Sequence, residues 1–267
     1  MVWHIDPILF DLGPIQIRYY GICFATGLLL GLQTAKQAWS WRDGDPEEID
    51  SMFLWLVLGV VVGSHWVHMI FYETRHLLDN PFQLLNPLTY GQGLASHGGA
   101  AGVITAVYLV ARKRGRSFFA YADVLSIGGM WMVVMVRLGN FFNSEIVGRP
   151  TDMPWGVIFA NHQENFARHP SQLYESFHGV LCLVFTYWFY KRYHKKLPEG
   201  SQLLITLVLY FGGRFLLEYF KAYQALSESF PFTMGQLLSA PIVIVGAWAL
   251  FGTKRFGIRP ALSATAE

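Results

Sequence analysis

The chain has 267 residues, of which 53% are hydrophobic and only 14% are charged, whereas soluble domains carry about 25% charged residues. The net charge of +2 gives no sign of a nucleic-acid partner, and the two cysteines, Cys23 and Cys182, lie in apolar runs that fit neither a disulfide framework nor a metal site. The composition therefore predicts an all-α integral membrane protein.

About seven apolar runs are long enough to be considered as membrane spans, since a spanning helix needs about 20 residues. The third run is short and rich in glycine. In chain order the predicted spans are 19–38, 52–72, 97–111, 120–136, 172–190, 203–219 and 235–251.

The basic residues predict the orientation of these spans, because cytoplasmic loops carry an excess of Lys and Arg. Of the 20 such residues, thirteen fall in the loops after spans one, three and five, in the C-terminal tail or, for Lys36, at the inner end of span one, and five fall on the other side. We therefore expect the N-terminus outside and the C-terminus in the cytoplasm. We expect residues 1–267 to form a single polytopic membrane domain, with the polar segment 138–170 as a small periplasmic cap.

Two arginines lie at or inside predicted spans, where a charge costs about 2.5–3.5 kcal/mol or more and so indicates function. Arg214 is followed four residues later by Glu218, on the same helix face. One interpretation is an internal ion pair that neutralises both side chains. The other is an arginine that binds an anion while Glu218 fixes its orientation.

The second arginine, Arg137, ends the fourth span. An arginine at this position often only reaches towards the membrane surface, but here Asn140, Asn143 and Glu145 follow at once, ahead of Gly148. This density of polar groups favours a binding or catalytic role. Two arginines near one leaflet would suit a phosphate, because guanidinium groups bind phosphate oxygens in a bidentate way.

The histidines are the candidate acid–base groups. His97 lies at the outer start of the third span beside Gly98 and Gly99, which would leave room for a substrate. The position also fits a capping or packing residue. His65 and His68 have the spacing of two metal ligands, but the sequence offers no obvious third ligand, so we expect no metal.

These residues resemble a known family, the prolipoprotein diacylglyceryl transferases. The stretch from Arg137 to Gly148 is similar to the family signature Arg-x-Gly-Asn-Phe-x-Asn-x-Glu-x-x-Gly. Further stretches agree in order and spacing, and they are Tyr19-Tyr20-Gly21, Ser96-His97-Gly98-Gly99, Arg168-His169-Pro170-Ser171-Gln172-Leu173-Tyr174-Glu175, Gly213-Arg214 with Glu218, and Met234-Gly235-Gln236.

The resemblance implies an enzyme of the bacterial cytoplasmic (inner) membrane that needs no cofactor. Such an enzyme moves the diacylglyceryl group of phosphatidylglycerol to the lipobox cysteine of a preprolipoprotein signal peptide, and glycerol phosphate leaves. The residues that it implies as catalytic are His97, Arg137, Arg214 and Tyr20. Together with the polar pattern, the resemblance implies that the substrate-binding residues are Asn140, Asn143, Glu145, Gly148, Gly98, Gly99, Glu218 and His65.

Three positions depart from the family pattern. His65 stands where the family has arginine, Val67 replaces a glycine in the same span, and Val136 replaces the glycine before the signature arginine. The sequence thus leaves two alternatives to the transferase. One is a divergent relative that lacks catalysis or uses another donor lipid, and the other is a transporter or lipid-binding membrane protein.

Overall fold

The computed structural model describes residues 1–13, 16–85, 95–223 and 229–252, without the side chain of Ser96. The chain forms two compact units, one of Met1–Arg42 with Asp123–Glu267 and the other of Asp43–Ala122. The single domain expected over residues 1–267 stays a prediction.

All seven predicted spans are helical. The described residues also contain one short helix that the sequence pattern did not predict, α3. The helices are α1 (Tyr19–Ser40), α2 (Pro46–Phe71), α3 (Thr74–Asp79), α4 (Ser96–Lys113), α5 (Phe118–Phe142), α6 (Ser171–Tyr193), α7 (Ser201–Leu217) and α8 (Met234–Gly252).

Four helical segments in the described residues are long and apolar enough to cross a membrane, and they are Pro46–Phe71, Phe118–Phe142, Ser201–Phe220 and Met234–Gly252. This confirms a helical membrane protein. The count of seven spans and their orientation stay predictions.

Helix α5 extends beyond the predicted end of the fourth span. We placed it at residue 136, but α5 continues to Phe142. The polar residues of this stretch suggested a loop, yet Phe141 is buried in an apolar cluster that favours a further helical turn. The segment predicted as a cap, 138–170, therefore begins inside a helix.

Within the unit Asp43–Ala122, glycines allow α2 and α4 to pack closely. Gly59 and Gly63 of α2 face Gly98 and Gly102 of α4, and a Cβ atom at Gly63 would lie 3.0 Å from the Cα of Gly102. The four-residue spacing on both helices is the small-xxx-small pattern of membrane helix pairs.

Within the other unit, a buried carboxylate positions the start of α7. The N–H groups of Gly200 and Leu203 donate to the two oxygens of Asp123, each at 2.9 Å. A carboxylate at a helix N-terminus satisfies orphan N–H groups and complements the helix dipole. Asp123 of α5 thereby fixes the helix that carries Arg214.

Short strands complete the same unit. Strand β1 (Val2–Trp3) pairs in parallel with β4 (Ile158–Phe159), and β2 (Ile8–Asp11) pairs antiparallel with β3 (Gln16–Arg18). An apolar cluster lies beside β1 and β4, and it consists of Phe141, Val147, Val157 and Phe159, with Trp3 and Leu173 packed against it.

Candidate active site

The signature segment begins on the last turns of α5, which places Arg137 and Asn140 one helical turn apart. Arg137 Nη1 donates to Asn140 Oδ1 at 3.3 Å, and Asn140 Nδ2 donates to Glu145 Oε2 at 3.1 Å. Asn143 Nδ2 donates to the other oxygen, Oε1, at 3.0 Å. The two asparagines thus hold one carboxylate and link it to the arginine.

A tight reversal of the chain brings Glu145 back over the end of the helix. Ser144 N–H donates to Phe141 O at 3.0 Å, and Glu145 N–H donates to Asn140 O at 2.9 Å. This pair of bonds is a Schellman motif, in which the residue after the helix adopts the left-handed conformation that glycine prefers. Here that residue is Ser144, with φ of 55°, and Ile146 has φ of 56°.

Such backbone conformations are unfavourable for a serine and still more for a β-branched isoleucine, so the surroundings have to impose them. The carbonyl groups of residues 144–146 supply the anchors, since each accepts a hydrogen bond from a side chain. His162 Nε2 donates to Ser144 O at 2.6 Å. Gln172 Nε2 donates to Glu145 O at 2.6 Å, and Ser171 Oγ donates to Ile146 O at 2.9 Å. The carboxylate of Glu145 is therefore presented by a fixed backbone.

Five ionisable side chains form a continuous chain of alternating charge. Arg137 Nε lies 3.0 Å from Glu175 Oε2, and Glu175 Oε1 lies 3.5 Å from Lys221 Nζ. Lys221 Nζ also lies 2.8 Å from Glu218 Oε1, which is 3.9 Å from Arg214 Nε. Both predicted arginines therefore belong to one network, and each lies at one of its ends.

The exposure of these side chains shows where the network is open. Glu175, Lys221 and Glu218 are 3%, 5% and 6% exposed, whereas Arg137 and Arg214 are 12% and 26% exposed. Within these five side chains, three cations stand against two carboxylates, and the carboxylate of Glu145 is linked to Arg137 only through Asn140. An uncompensated charge is costly in a low-dielectric environment, so the ends of the network favour an anion.

Arg214 retains hydrogen-bonding capacity for a ligand. Its buried Nε atom has no hydrogen-bond partner among the described residues, and 3.9 Å from Glu218 is too long for a hydrogen bond. The expectation that Glu218 orients Arg214 directly is thus met only by this long contact. The closest partners of Glu218 are Lys221 and Thr233, whose Oγ1 donates to Oε2 at 2.9 Å.

The start of α8 is built around Glu218. Thr233 N–H donates to Gln236 Oε1 at 3.0 Å and Gln236 N–H donates to Thr233 Oγ1 at 3.2 Å, which is a capping box. A Cβ atom at Gly235 would overlap the Glu218 carboxylate. The Met234-Gly235-Gln236 stretch therefore accommodates and holds this carboxylate.

Two further contacts of the predicted site require glycine, because a side chain at that position would be too close to its neighbours. Tyr20, at the start of α1, packs on Gly139, where a Cβ atom would lie 2.8 Å from the ring Cδ2. A Cβ atom at Gly148 would lie 2.7 Å from the carbonyl oxygen of Phe220. Gly148 N–H donates to His169 O at 3.0 Å, so the end of the signature is packed directly against backbone.

An apolar groove of about 430 Å³ lies between α6 and α7. His178 lies in it on the surface of Gly213, where a Cβ atom would overlap the imidazole ring. Its Nε2 atom lies 3.2 Å from Tyr210 O. The groove is lined by Leu173, Tyr174, Phe177, His178, Leu181, Gly213, Leu216 and Leu217.

The remaining predicted residues lie in the unit Asp43–Ala122. His97 is exposed in the first turn of α4. Gly98 and Gly99 face α2, where a Cβ atom at Gly99 would lie 2.8 Å from Ser64 Oγ. His65 is fully buried, with Nε2 3.5 Å from Gln83 O. Their roles in catalysis and substrate binding stay predictions.

Two members of the network, Glu175 and Lys221, were not among the predicted site residues. Lys221 is one of the five basic residues that the sequence places on the outer side. Glu175 belongs to the Arg168–Glu175 stretch that resembles the family, and Lys221 follows Glu218 by three residues, a spacing that indicates an ion pair. Gln172 and Ser171 were missed as anchors of the signature backbone.

Outside the helices, an ion pair supports the segment that returns to α6. Arg168 donates two hydrogen bonds of 2.6 Å to Glu164 and one of 3.1 Å to Gly148 O. The hydrogen bonds from Arg168 lower the pKa of the Glu164 carboxyl, and they raise the pKa of the Arg168 guanidinium. Burial lowers the pKa of the neighbouring His169.

The sequence was compared with known proteins. The family model for prolipoprotein diacylglyceryl transferase matches residues 7–252. The chain belongs to this family. The match covers the whole ion-pair network and the signature, so the family resemblance of the sequence is confirmed.

The curated relatives extend over nearly the full chain. A phosphatidylglycerol–prolipoprotein diacylglyceryl transferase from Chloroherpeton thalassium is 38% identical over 93% of this chain and 92% of its own length. The protein of the same name from Tolumonas auensis is 38% identical over 92% and 95%. One from Porphyromonas gingivalis is 34% identical over 98% of both chains.

Proposed function

We propose that this protein transfers the diacylglyceryl group of phosphatidylglycerol to the lipobox cysteine thiol of preprolipoproteins. The observation that carries the proposal is the buried network that ends in Arg137 and Arg214 and sets three cations against two carboxylates. Family membership and the names of the relatives support the same conclusion.

In the proposed reaction, the cysteine sulfur attacks the glyceryl carbon that carries the phosphate. A carbon–sulfur thioether bond forms, the carbon–oxygen bond to phosphate breaks, and glycerol phosphate leaves with the bonding electron pair. The thiol proton passes to a base. Because the leaving group gains negative charge in the transition state, fixed cations placed against it lower the barrier.

Arg137 and Arg214 supply these cations. The hydrogen bond to Asn140 engages one of the five N–H groups of Arg137, and the contact with Glu175 is an ion pair. Arg214 is partly exposed, and its Nε has no hydrogen-bond partner among the described residues. Both guanidinium groups can therefore donate to phosphate oxygens while the carboxylates behind them keep their orientation.

The glycerol head group would bind at Glu145. This carboxylate is exposed and accepts one hydrogen bond from each of two asparagines, whereas an ionised carboxylate offers about four acceptor sites. Its free lone pairs suit the hydroxyl groups of the phosphatidylglycerol head. A head group without hydroxyl donors would leave them unused, so this side chain favours a lipid whose head group carries hydroxyl groups, as phosphatidylglycerol does.

His97 is the proposed base for the thiol. A thiol has a pKa of about 8.5 and needs a base or a positive field to become a nucleophile at neutral pH. His97 is exposed at the start of α4, beside two glycines. Tyr20, packed on the helix that carries Arg137, is proposed to orient the head group.

For the membrane arrangement we propose seven spans in the bacterial inner membrane, with the N-terminus outside. Support comes from the seven helices, each of which coincides with one predicted apolar run, and from the uneven distribution of basic residues in the loops. The signature segment would then lie at the outer face, where signal peptides present their lipobox.

The test is a reconstituted assay. Purified protein is incubated with vesicles that contain phosphatidylglycerol and a lipobox peptide, and thioether product and glycerol phosphate are measured by mass spectrometry. A peptide with serine in place of the lipobox cysteine is the control. Absence of both products, while a curated relative is active in parallel, would refute the proposal.

The same assay tests whether His65 and Val67, which depart from the family pattern, alter the donor lipid or abolish activity. Vesicles with phosphatidylethanolamine or cardiolipin in place of phosphatidylglycerol distinguish an altered donor from an inactive protein. We expect phosphatidylglycerol to be the preferred donor, because the network and the carboxylate of Glu145 match its single negative charge and its hydroxyl groups.

A further inference from the structure

The first residues of the chain pack against the signature segment, although they lie outside the range 7–252 that matches the family model. The ring of Trp3 lies 4.3 Å from the ring of Phe141 and 5.8 Å from that of Phe142, measured between centroids. Phe141 and Phe142 are the residues between Asn140 and Asn143. Trp3 thus contacts the stretch from which both asparagines extend.

The apolar cluster beneath Trp3 joins the two ends of the signature loop. Phe141 accepts a hydrogen bond within the Schellman motif and Val147 lies after the motif, and both are buried with Phe159 in one cluster. Trp3 packs against this cluster. Removing its ring would loosen the loop at both ends at once.

Trp3 is also connected to the signature loop through the backbone. Trp3 pairs with Phe159 in the parallel β1–β4 ladder, and Ile158 N–H donates to Met1 O at 2.9 Å. Strand β4 leads directly into the turn 160–162, where His162 donates to Ser144 O. The position of β1 therefore affects Ser144, the residue that adopts the unfavourable left-handed conformation.

We propose that Trp3 is a positioning residue, which keeps Glu145 and its two asparagines in place for the reaction. This inference rests on the proposed function. Residues in sparsely populated backbone conformations persist only when their surroundings over-determine them. Trp3 supplies part of that constraint from outside the family-matched region.

The decisive variants are Trp3→Ala and Trp3→Phe. Its indole N–H is buried and has no hydrogen-bond partner among the described residues, so phenylalanine loses no hydrogen bond and keeps a ring against Phe141. Val2→Ala is the matched control, because Val2 lies on the same strand with its side chain exposed.

We expect Trp3→Ala to lower kcat, per folded molecule, by roughly 10- to 100-fold, since small misplacements of catalytic groups have effects of this size. The KM for phosphatidylglycerol should rise as well, because Glu145 on the loosened loop is the proposed binding site of the head group. Trp3→Phe should restore most of the activity, and Val2→Ala should match the wild type.

Hydrogen exchange supplies a readout that does not depend on activity. In Trp3→Ala, the amides of residues 143–148 should exchange faster than in the wild type, while those of α8 stay unchanged. If Trp3→Ala does not fold, Trp3→Leu takes its place under the same criteria.

Wild-type kcat per folded molecule in the alanine or leucine variant would overturn the inference, and so would unchanged exchange at residues 143–148. Failure of the proposed function is a different result, because the wild type itself would then form no thioether. The exchange measurement would still decide whether Trp3 holds the loop.

Discussion

Arg137 Nε lies 3.0 Å from Glu175 Oε2, and this ion pair joins the end of α5 to the first turns of α6. The contact fixes the first arginine of the signature from a second helix. It also leaves the remaining guanidinium N–H groups for a ligand. Glu175 in turn connects Arg137, through Lys221, to the distant end of the network at Arg214.

We expect Arg137→Ala and Arg214→Ala each to lower turnover by about 100- to 1000-fold, the usual effect of removing one group that stabilises developing charge. The measurement is kcat in the phosphatidylglycerol assay, with the folded fraction determined in parallel. Arg192→Ala, at an exposed position of α6, is the control and should retain wild-type activity. Near-normal rates in both site variants would contradict the phosphate role.

We expect Lys221→Met to lower the free energy of unfolding by about 3–5 kcal/mol, because it leaves two buried carboxylates without their shared cation. Lys221→Arg should lose much less, since the charge is kept. Chemical denaturation in detergent measures both. The double variant Lys221→Met/Glu218→Gln should lose less than the sum of the single changes, and strict additivity would show that the two side chains are not coupled.

Two adjacent glycines of α7 give a matched comparison. Gly213→Ala should lower the free energy of unfolding by about 1–3 kcal/mol, because the added methyl overlaps the ring of His178. Gly212→Ala meets nothing within 4 Å and should leave the free energy of unfolding unchanged or raise it by up to about 1 kcal/mol, because alanine is more favourable than glycine inside a helix. Thermal midpoints of both variants check this. Equal losses at the two positions would argue against the packing of His178 on Gly213.

The ion pair between Glu164 and Arg168 predicts a dependence of stability on pH. Since the pKa of Glu164 is lower in the folded protein than its ordinary value of 4.5, its stabilising contribution is complete above that value. The contribution falls as the pH decreases through the folded pKa. We therefore expect the difference in thermal midpoint between wild type and Glu164→Gln to shrink below about pH 4.5. A difference that is constant down to pH 3 would show that this carboxylate is not responsible.

Much of the fold could be predicted from the sequence because its signals are local. Long apolar runs gave the positions of α1, α2 and α4–α8, and the dense polar motif after Arg137 indicated the candidate site. The cost of a charge among apolar residues singled out Arg137 and Arg214 before any contact was known. The family resemblance followed from the same short motifs.

Tertiary structure decided how these residues act together. Glu175 and Lys221 are 46 positions apart, and their pairing depends on how α6 meets the end of α7, which no local pattern encodes. Likewise, the left-handed backbone at Ser144 is ordinarily reserved for glycine and persists through contacts with distant side chains. The sequence by itself determined which charges lie among the apolar helices, whereas only packing decided that they form one network of three cations and two carboxylates.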